Sequence, residues 1–441
     1  MTKKLTGFEV KPEQRQNWQS IAMVWIGSII CVPSLMIGGL VGSSMSIGGV
    51  ITAILIGYGM ICVYMSLIGM QGCDTGLPTA VMASGALGQK GARYAISSVL
   101  AIACIGWFGI QSAVCGTSFS AMINTMMGIS IPVWLSSTFW GIIMVVTASY
   151  GFKGLKWLNY VAVPLLLLVC GYGVWAAMVQ FDGMAIMATY VAPQPMPLVT
   201  GISLVVATFA VGGAISSDYC RFAKNRGDVI KSSVLGVLPA GLVMLLIGAV
   251  MSIVTGQYDI SAVLTAVGVP AVGLVALVLA TWTTNVTNAY SGGLSLSNLL
   301  GLDESYYKMT TGIAGGVGTL LAAIGLLGKF TAFLTLLSAL VPALAGVLIA
   351  DYWLVGKGDP NQFKLRDGVF APGMVSFAIG ALVACITGGT FASFPSLVAA
   401  MPFLNIPFFI GPVNGIVVSM ILYLVLIKLI PEPEISYNEA A

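Results

Sequence analysis

The sequence predicts an all-α membrane protein with about twelve transmembrane helices, on the basis of composition, hydropathy and the placement of basic residues. Of the 441 residues, 58% are hydrophobic and only 7% are charged, whereas an ordinary soluble domain carries roughly 25% charged residues. So few charges cannot cover a water-exposed surface. Apolar runs near the roughly 20 residues that a membrane helix needs occur at 20–41, 46–70, 93–122, 132–150, 155–179, 199–217, 230–255, 268–300, 310–328, 330–353, 370–392 and 403–428. We number these runs spans 1 to 12.

The basic residues predict the orientation of the spans. If both termini are cytoplasmic, every Lys and Arg except Lys329 falls in a cytoplasmic loop or tail, or at the cytoplasmic end of a span. Cytoplasmic loops carry an excess of these residues, and one miscounted span would scramble the pattern. We therefore expect a multi-pass protein of a bacterial-type inner (plasma) membrane, with a cytoplasmic N-terminal segment (1–19) and tail (429–441).

The composition also excludes several kinds of partner and site. A net charge of +3 is too small to indicate binding to nucleic acid. The eight cysteines form no close pair, which argues against a disulfide framework or a zinc site. The chain has no His, and no Asp, Glu, Lys or Arg falls near the middle of a span. Because intramembrane ionisable groups usually mark proton relays or charged-substrate sites, we expect a neutral substrate and a driving ion other than the proton. An uncoupled facilitator is the alternative.

Two spans carry helix-breaking residues at a similar depth. Span 1 contains Val32-Pro33-Ser34 and span 6 contains Val211-Gly212-Gly213. Paired interruptions in corresponding halves point to a transporter's central site, although Pro and Gly also occur in membrane helices as simple kinks or packing points. The positions predict a five-helix unit (20–179) repeated with inverted topology (199–353), followed by two further helices (370–428).

Polar side chains are concentrated on spans 3 and 8. Trp107 and Gln111 are four residues apart and share one face of span 3, which suits a flat, hydrogen-bonding ring. Packing of Trp107 and an interhelical bond from Gln111 are equally compatible with this pattern. On span 8, six hydroxyl or amide side chains lie within 281–288. The hydroxyls of Thr283 and Thr284 stand near the carbonyl of Ala280, where three oxygens could bind a hard cation or simply hydrogen-bond between helices.

These segments resemble the nucleobase:cation symporter-1 family, whose members include cytosine permeases and hydantoin transporters. The similarity covers nearly the whole chain, and its most specific pieces are Gly106-Trp107-Phe108-Gly109, Asp218-Tyr219-Cys220-Arg221-Phe222, Trp282-Thr283-Thr284-Asn285 and Ala350-Asp351-Tyr352. The resemblance implies a leucine-transporter-type fold. It also implies sodium bound between spans 1 and 8, and a substrate bound between spans 1, 3, 6 and 8.

The resemblance implies a complete sodium site in this chain. The family's ligands correspond to the carbonyl oxygens of Gly27, Ile30 and Ala280 and to the hydroxyls of Thr283 and Thr284. All of these chemistries are retained, so Na+ is the expected coupling ion.

The resemblance implies a substrate site that differs in part from that of cytosine permease. Trp107 and Phe209 would stack on the substrate, and Asn285 matches a cytosine-permease contact. Gln111 matches the hydantoin transporter's glutamine, and Thr208 replaces a serine. The site as predicted also includes Asn288.

Two polar contacts of cytosine permease are absent from this sequence. The corresponding positions are occupied by Cys104 and Val211. The sodium site is therefore better supported than cytosine as the substrate.

The sequence thus predicts a sodium-coupled symporter of a neutral, planar, nucleobase-like molecule, with cytosine as the leading candidate. Another nucleobase, a hydantoin or a hydroxymethylpyrimidine stays open as the substrate, and proton-coupled or uncoupled transport as the mechanism. A channel would need a continuous polar pore. An enzyme would need an acid, a base or a metal cluster, none of which is evident.

Overall fold

The computed structural model describes residues 10, 12–150, 155–257, 260–266 and 271–430, and these residues fold mainly into α-helices. Most of the predicted N-terminal segment, the tail from residue 431 and the first residues of span 8 (268–270) lie outside the described residues. The helices are α1 (Trp18–Ile29), α2 (Val32–Gly42), α3 (Ile47–Thr75), α4 (Thr79–Leu87), α5 (Gln89–Met127), α6 (Val133–Tyr150), α7 (Leu155–Val179), α8 (Gly183–Thr189), α9 (Leu198–Ala214), α10 (Ser217–Cys220), α11 (Arg226–Thr255), α12 (Ile260–Ala266), α13 (Ala271–Leu300), α14 (Tyr307–Ala323), α15 (Phe330–Ile349), α16 (Ala371–Thr387), α17 (Pro395–Ala400) and α18 (Gly411–Leu429).

A helix occupies each of the twelve predicted spans. Within the described ranges, five helical segments are by length and composition long and apolar enough to cross a membrane, or up to seven if each sharply bent helix pair is one span. Three further apolar helices, α6, α9 and α16, are shorter. Span 12 begins later than predicted, at Gly411 rather than residue 403. Pro407 and Pro412 explain the difference, because proline is tolerated in the first turn of a helix and not in its interior.

The predicted break in span 1 is confirmed as a sharp bend. Helices α1 and α2 meet at 62°, and Cys31 between them is extended at φ −151° and ψ 162°. Pro33 lies in the first turn of α2, where its missing N–H leaves no hydrogen bond unmade. Proline therefore starts a second helix here instead of kinking one continuous helix.

The interruption in span 6 lies earlier than the glycine pair predicted. Phe209 has non-helical backbone angles (φ −132°, ψ 17°), and α9 continues through Val211, Gly212 and Gly213 to Ala214. The two glycines instead make room for aromatic rings: a Cβ on Gly212 would lie 2.5 Å from the Phe209 ring, and one on Gly213 would collide with Tyr64. The backbone thus departs from helix at Phe209, Gly212 makes room for the Phe209 ring and Gly213 makes room for Tyr64.

Close helix crossings hold the broken span in place. Helix α2 crosses α11 at Gly38 and Gly248, where a Cβ would collide with the carbonyls of Leu245 and Leu35. Small residues let backbones approach closely in membrane proteins, where packing rather than water exclusion drives association. Helices α5 and α13 run side by side. The packing therefore brings the helix of Trp107 and Gln111 next to the helix of Thr283 and Thr284.

Candidate functional site

The break between α1 and α2 leaves backbone oxygens without helical partners. The N–H of Cys31 donates to the carbonyl of Ile29 at 2.8 Å instead of to Gly27, and the hydroxyl of Ser34 donates to the same Ile29 oxygen at 2.7 Å. Among the described residues, the carbonyls of Gly27 and Ile30 accept no backbone hydrogen bond. Gly27 is exposed and Ile30 is half-buried, so both oxygens are accessible to a cation.

On α13, three oxygens lie together as the sequence predicts. The hydroxyls of Thr283 and Thr284 donate to the carbonyl of Ala280 at 3.1 and 2.9 Å. Each hydroxyl keeps acceptor lone pairs after donating its proton, so all three oxygens can face a hard cation. Helix α13 contacts α2, whereas α1 packs chiefly on α11. The five predicted ligands therefore form two groups, three oxygens on α13 and two at the end of α1.

Trp107 is held edge-on by two aromatic rings that the sequence reasoning missed. Phe333 and Phe330, both near the start of α15, lie 5.2 and 6.1 Å from Trp107 between ring centroids, at interplanar angles of 84° and 73°. Edge-to-face contacts of this kind stabilise an aromatic pair by about 0.5–1.5 kcal/mol beyond area burial. The two rings fix the orientation of the indole. Their spacing of three residues at the start of span 10 was the only available sequence signal.

Phe209 lies at the kink of α9 and contacts the first broken helix. Its ring lies 5.9 Å from that of Trp25 on α1, at 82°, and Trp25 also contacts Tyr219 at 4.8 Å. Trp25 was not predicted as a site residue. It lies two positions before Gly27, so one side chain connects the helix of the carbonyl ligands to the candidate stacking ring.

Gln111 is the most informative polar side chain in the site. It is 1% exposed, and its amide oxygen Oε1 has no hydrogen-bond partner among the described residues. Leaving a buried acceptor unpaired costs about 1–3 kcal/mol, and such groups in native proteins call for an explanation such as an absent ligand or water. Gln111 lies one helical turn after Trp107, so a ligand beside the indole could supply the missing donor.

Asn285 is engaged with α5 in this structure. Its amide nitrogen donates to the carbonyl of Phe108 at 2.9 Å and to Ser112 Oγ at 3.0 Å, and its Oδ1 accepts from Asn288 Nδ2 at 3.2 Å. The structure therefore places Asn285 at the α5–α13 contact, where it ties the two helices together. Asn288 is half-buried one turn away.

Three other predicted positions take part in helix packing. Thr208 donates to the carbonyl of Val205, and its Oγ1 lies 3.1 Å from the hydroxyl of Tyr58 on α3. Cys104 is half-buried, and a Cβ on Gly292 of α13 would lie 3.4 Å from the Cys104 Cβ. Val211 packs against the main hydrophobic core.

A cavity of about 480 Å³ opens at the end of the bundle that carries the basic residues. Helices α4, α5 and α13 line it, with Asp218 just beyond α9. Its deepest residue on α5 is Leu100, seven residues or about 10 Å along the axis from Trp107. Burial raises the pKa of Asp218, against the hydrogen bonds from Thr79 and the charge of Arg221, which lower it. The cavity therefore ends about 10 Å short of the aromatic site along α5.

Charged side chains in the described part of the chain pair at that same end. Arg226 forms an ion pair with Asp74 at 2.7 Å, and Arg366 forms one with Asp351 at 2.9 Å. In the described ranges, three or more His, Cys, Asp or Glu side chains never converge in a way that could hold a metal ion. The chemistry open to the site is therefore binding through carbonyl, hydroxyl and amide groups.

Comparison with known proteins adds independent information. Residues 9–411 match the family described as permeases for cytosine and purines, uracil, thiamine and allantoin. The cytosine permease of Escherichia coli (strain K12) is 30% identical over 343 residues, covering 78% of this chain and 79% of that protein. The hydantoin permease of Microbacterium maritypicum is 26% identical over 375 residues, covering 79% and 74%.

Solved structures of two conformations of one transporter share the fold. Mhp1 in an inward-facing conformation aligns with a TM-score of 0.76 at 21% identity, over 96% of this chain and 94% of that chain. Mhp1 in a closed conformation with bromovinylhydantoin bound, a nucleobase-cation-symport-1 transporter, aligns with a TM-score of 0.70 over 96% of both chains. The predicted all-α, leucine-transporter-type fold is confirmed, and so is the predicted family. The chain belongs to the nucleobase:cation symporter-1 permeases and is a multi-pass membrane transporter, not an enzyme.

Proposed function

We propose that the protein is a sodium-coupled symporter that imports a neutral, planar, nucleobase-like substrate by alternating access, with cytosine as the leading candidate. The observation that carries the proposal is the buried, unpartnered amide oxygen of Gln111, one turn from the indole of Trp107. A heterocycle with ring N–H groups supplies both the missing hydrogen-bond donor and a flat face. The cytosine permease and hydantoin permease relatives support this substrate class.

The aromatic residues favour a planar ring over other neutral solutes. Trp107 and Phe209 each provide a π face, and each is already supported edge-on by other rings, so neither needs to reorganise much when a ring binds. Amide side chains offer both donors and acceptors, which match the alternating groups on a nucleobase edge. A sugar would require more hydroxyl partners, and an amino acid would require an anchor for its carboxylate.

In this proposal the Gln111 amide hydrogen-bonds directly to the edge of the substrate ring, and the two asparagines of α13 supply further amide groups. Asn285 would have to exchange one of its hydrogen bonds to α5 before contacting the ring. Thr208 would similarly share its hydroxyl with Tyr58. Cys104 and Val211 stand where cytosine permease has two polar contacts, so this site would make different hydrogen bonds to the substrate. Another nucleobase, a hydantoin or a hydroxymethylpyrimidine is therefore the alternative substrate.

Sodium is proposed as the coupling ion because the available ligands are oxygens without titratable groups. The carbonyls of Gly27 and Ile30 lack backbone partners, and Ala280, Thr283 and Thr284 present three oxygens on α13. A hard cation between the two groups would satisfy the carbonyls and hold α1 against α13. Proton-coupled or uncoupled transport is the alternative, and it would require none of these five oxygens to bind an ion.

The proposed orientation places both termini in the cytoplasm of a bacterial-type inner membrane. The cavity beside Arg93 and Asp218 would then open to the cytoplasm, as an exit route for substrate and ion. The two proposed five-helix repeats, 20–179 and 199–353, would each begin with an interrupted helix, at Cys31 and at Phe209.

A thermal-shift screen of nucleobases and hydantoins on the purified protein, with sodium or choline, tests the proposal. A ligand that binds the folded state raises its stability by mass action, about 2.7 kcal/mol at 100 times Kd. The true substrate should stabilise the protein more in sodium than in choline, and uptake into proteoliposomes should require sodium at fixed pH. Sodium-independent uptake that follows an imposed pH gradient would refute the coupling ion. Stabilisation only by charged or non-planar ligands would refute the substrate class.

A further inference from the structure

An apolar crevice lies on the outer side of the helix pair α5 and α13, separate from the cavity described above. Its volume is about 470 Å³, and its walls include Ile102 and Ile105 on α5, Leu296 and Leu299 on α13, and Leu321 on α14. Ile102 is 43% exposed, so the crevice is open on its side. In a membrane-spanning protein this side faces the hydrocarbon chains of the lipid.

Arg93 lines the cavity described above, but its guanidinium also reaches the end of the crevice nearest the basic loops. Its Nη2 donates to the carbonyl of Leu299, a wall residue, at 3.3 Å, and the side chain is exposed. Tyr94, also exposed, lies under the guanidinium at 5.5 Å. Arginine has five N–H donors, so most of its hydrogen-bonding capacity remains after the bond to Leu299. A cation and an interfacial aromatic at the end of an apolar channel match the headgroup region of a bilayer.

The opposite end of the crevice reaches the aromatic site. Gly106 and Phe333 both line it, and a Cβ on Gly106 would collide with the Phe333 ring. Phe333 is the ring that contacts Trp107 edge-on at 5.2 Å. The crevice therefore runs from a charged surface end to a side chain that orients the candidate stacking residue.

We propose that this crevice binds one acyl chain of an anionic phospholipid, with the lipid phosphate at Arg93. Along α5 the wall runs from Ser98 to Gly106, about 12 Å at the helical rise, and Arg93 lies about 7 Å further out. The combined length of about 20 Å exceeds half of a 30 Å hydrocarbon core and reaches the headgroups of one leaflet.

The shape of the crevice selects an acyl chain over a helix. Dividing 470 Å³ by the wall length of about 12 Å gives a cross-section of about 40 Å², whereas a helix with side chains is at least 10 Å wide, or about 80 Å². A hydrocarbon chain can therefore lie inside the crevice, whereas a transmembrane helix could only lie across its open side, where Ile102 is exposed. The charge of Arg93 favours an anionic headgroup over a zwitterionic one.

The test is lipid binding by the intact protein, measured by native mass spectrometry with phosphatidylglycerol and phosphatidylcholine of identical acyl chains. We expect the parent to retain phosphatidylglycerol more strongly. Arg93→Gln should lower that preference about fivefold, corresponding to ~1 kcal/mol for one basic residue at the surface. Ile102→Trp should fill the crevice and reduce retention of both lipids.

A matched control comes from a second apolar groove. It has a volume of about 370 Å³ between α6 and α14 and includes Ile142, and its wall residues do not include Leu299, the hydrogen-bond partner of Arg93. Ile142→Trp should leave phosphatidylglycerol retention unchanged. Equal retention of the two lipids by the parent, or a loss on Ile142→Trp equal to that on Ile102→Trp, would overturn the proposal.

Photo-cross-linking of the parent protein requires no variant. A phosphatidylglycerol with a photoreactive acyl chain should label peptides from α5 and α13 around Ile102 and Leu296. Labelling confined to α6 and α14, or cross-links from this face to a second copy of the chain, would also overturn the assignment. Both outcomes are independent of sodium or nucleobase binding, so they are distinguishable from failure of the proposed function.

Discussion

Replacing Gln111 by Met should stabilise the empty protein and weaken substrate binding. Methionine has nearly the length of glutamine, is unbranched and adapts to irregular packing, so the change removes polarity without opening a large cavity. In the empty protein the Gln111 oxygen is buried without a partner. Removing it eliminates a desolvation cost, whereas removing it from the complex eliminates the hydrogen bond to the substrate.

The magnitude of both effects follows from the burial of this one side chain. At 1% exposure, the amide oxygen carries close to the full penalty of an unsatisfied buried acceptor, about 1–3 kcal/mol. The substrate's own donor would lose its partner at comparable cost when it binds to the variant. One to three kcal/mol corresponds to a roughly 5- to 150-fold rise in Kd. Stability and affinity should therefore change in opposite senses, as expected for a site that sacrifices stability for function.

Gln71 provides a matched control. It is also a buried glutamine, at 2% exposure, but its Nε2 donates to the carbonyl of Leu348 at 3.3 Å. Gln71→Met should lower the melting temperature and leave substrate affinity unchanged. The assay is thermal unfolding of each variant without and with a ligand series in sodium. If Gln111→Met destabilised the empty protein as Gln71→Met does, and bound the substrate like the parent, the assignment of Gln111 would be refuted.

Three further predictions address the ion site and the cavity. Thr284→Ala removes one oxygen beside the Ala280 carbonyl and should weaken the sodium dependence of uptake. Thr284→Ser, which keeps the hydroxyl, should restore that dependence. An unchanged sodium titration for Thr284→Ala would place the ion elsewhere. Pro33→Ala adds an N–H that can compete with Cys31 and Ser34 for the Ile29 carbonyl and tighten the break. Sodium affinity should then fall more than protein yield, and a wild-type titration would show that Pro33 is only a packing kink. Burial raises the pKa of Asp218 above its ordinary value near 3.8, so as pH rises this carboxyl ionises first in the unfolded chain and the stability of the folded protein falls. Asp218→Asn should therefore raise the melting temperature at pH 7 and not at pH 4. An equal change at both pH values would exclude a charge effect.

Hydropathy and charge were sufficient to predict the helices that occupy the twelve spans. A long apolar run has no alternative in a membrane, because every backbone group must be satisfied internally. Short helices outside the spans, such as α4 and α8, were not predicted, because their sequences carry no distinct period. The start of span 12 was misplaced for the related reason that hydropathy alone does not register that Pro407 and Pro412 keep a helix from beginning before Gly411.

The break in span 1 was predictable because proline acts through its own backbone. The kink in span 6 was placed at the glycines, whereas the backbone departs from helix at Phe209. A glycine pair indicates where space is needed, and it does not indicate which neighbouring residue fills the space. The rings of Phe330 and Phe333 were missed for a similar reason, since their contact with Trp107 joins residues more than 200 positions apart.

Asn285 illustrates how far residue chemistry can predict a role. An asparagine in the middle of a membrane span must be hydrogen-bonded, and the sequence cannot distinguish a bond to a substrate from a bond to another helix. Here the amide nitrogen donates to α5 at Phe108 and Ser112. Phe108 and Ser112 directly follow Trp107 and Gln111, respectively, in sequence. A residue that fixes the register of α5 against α13 also fixes the position of the indole and the amide relative to the oxygens of Thr283 and Thr284. Asn285 can thus couple the proposed ion site to the proposed substrate site through the α5–α13 contact, whether or not it also contacts the substrate.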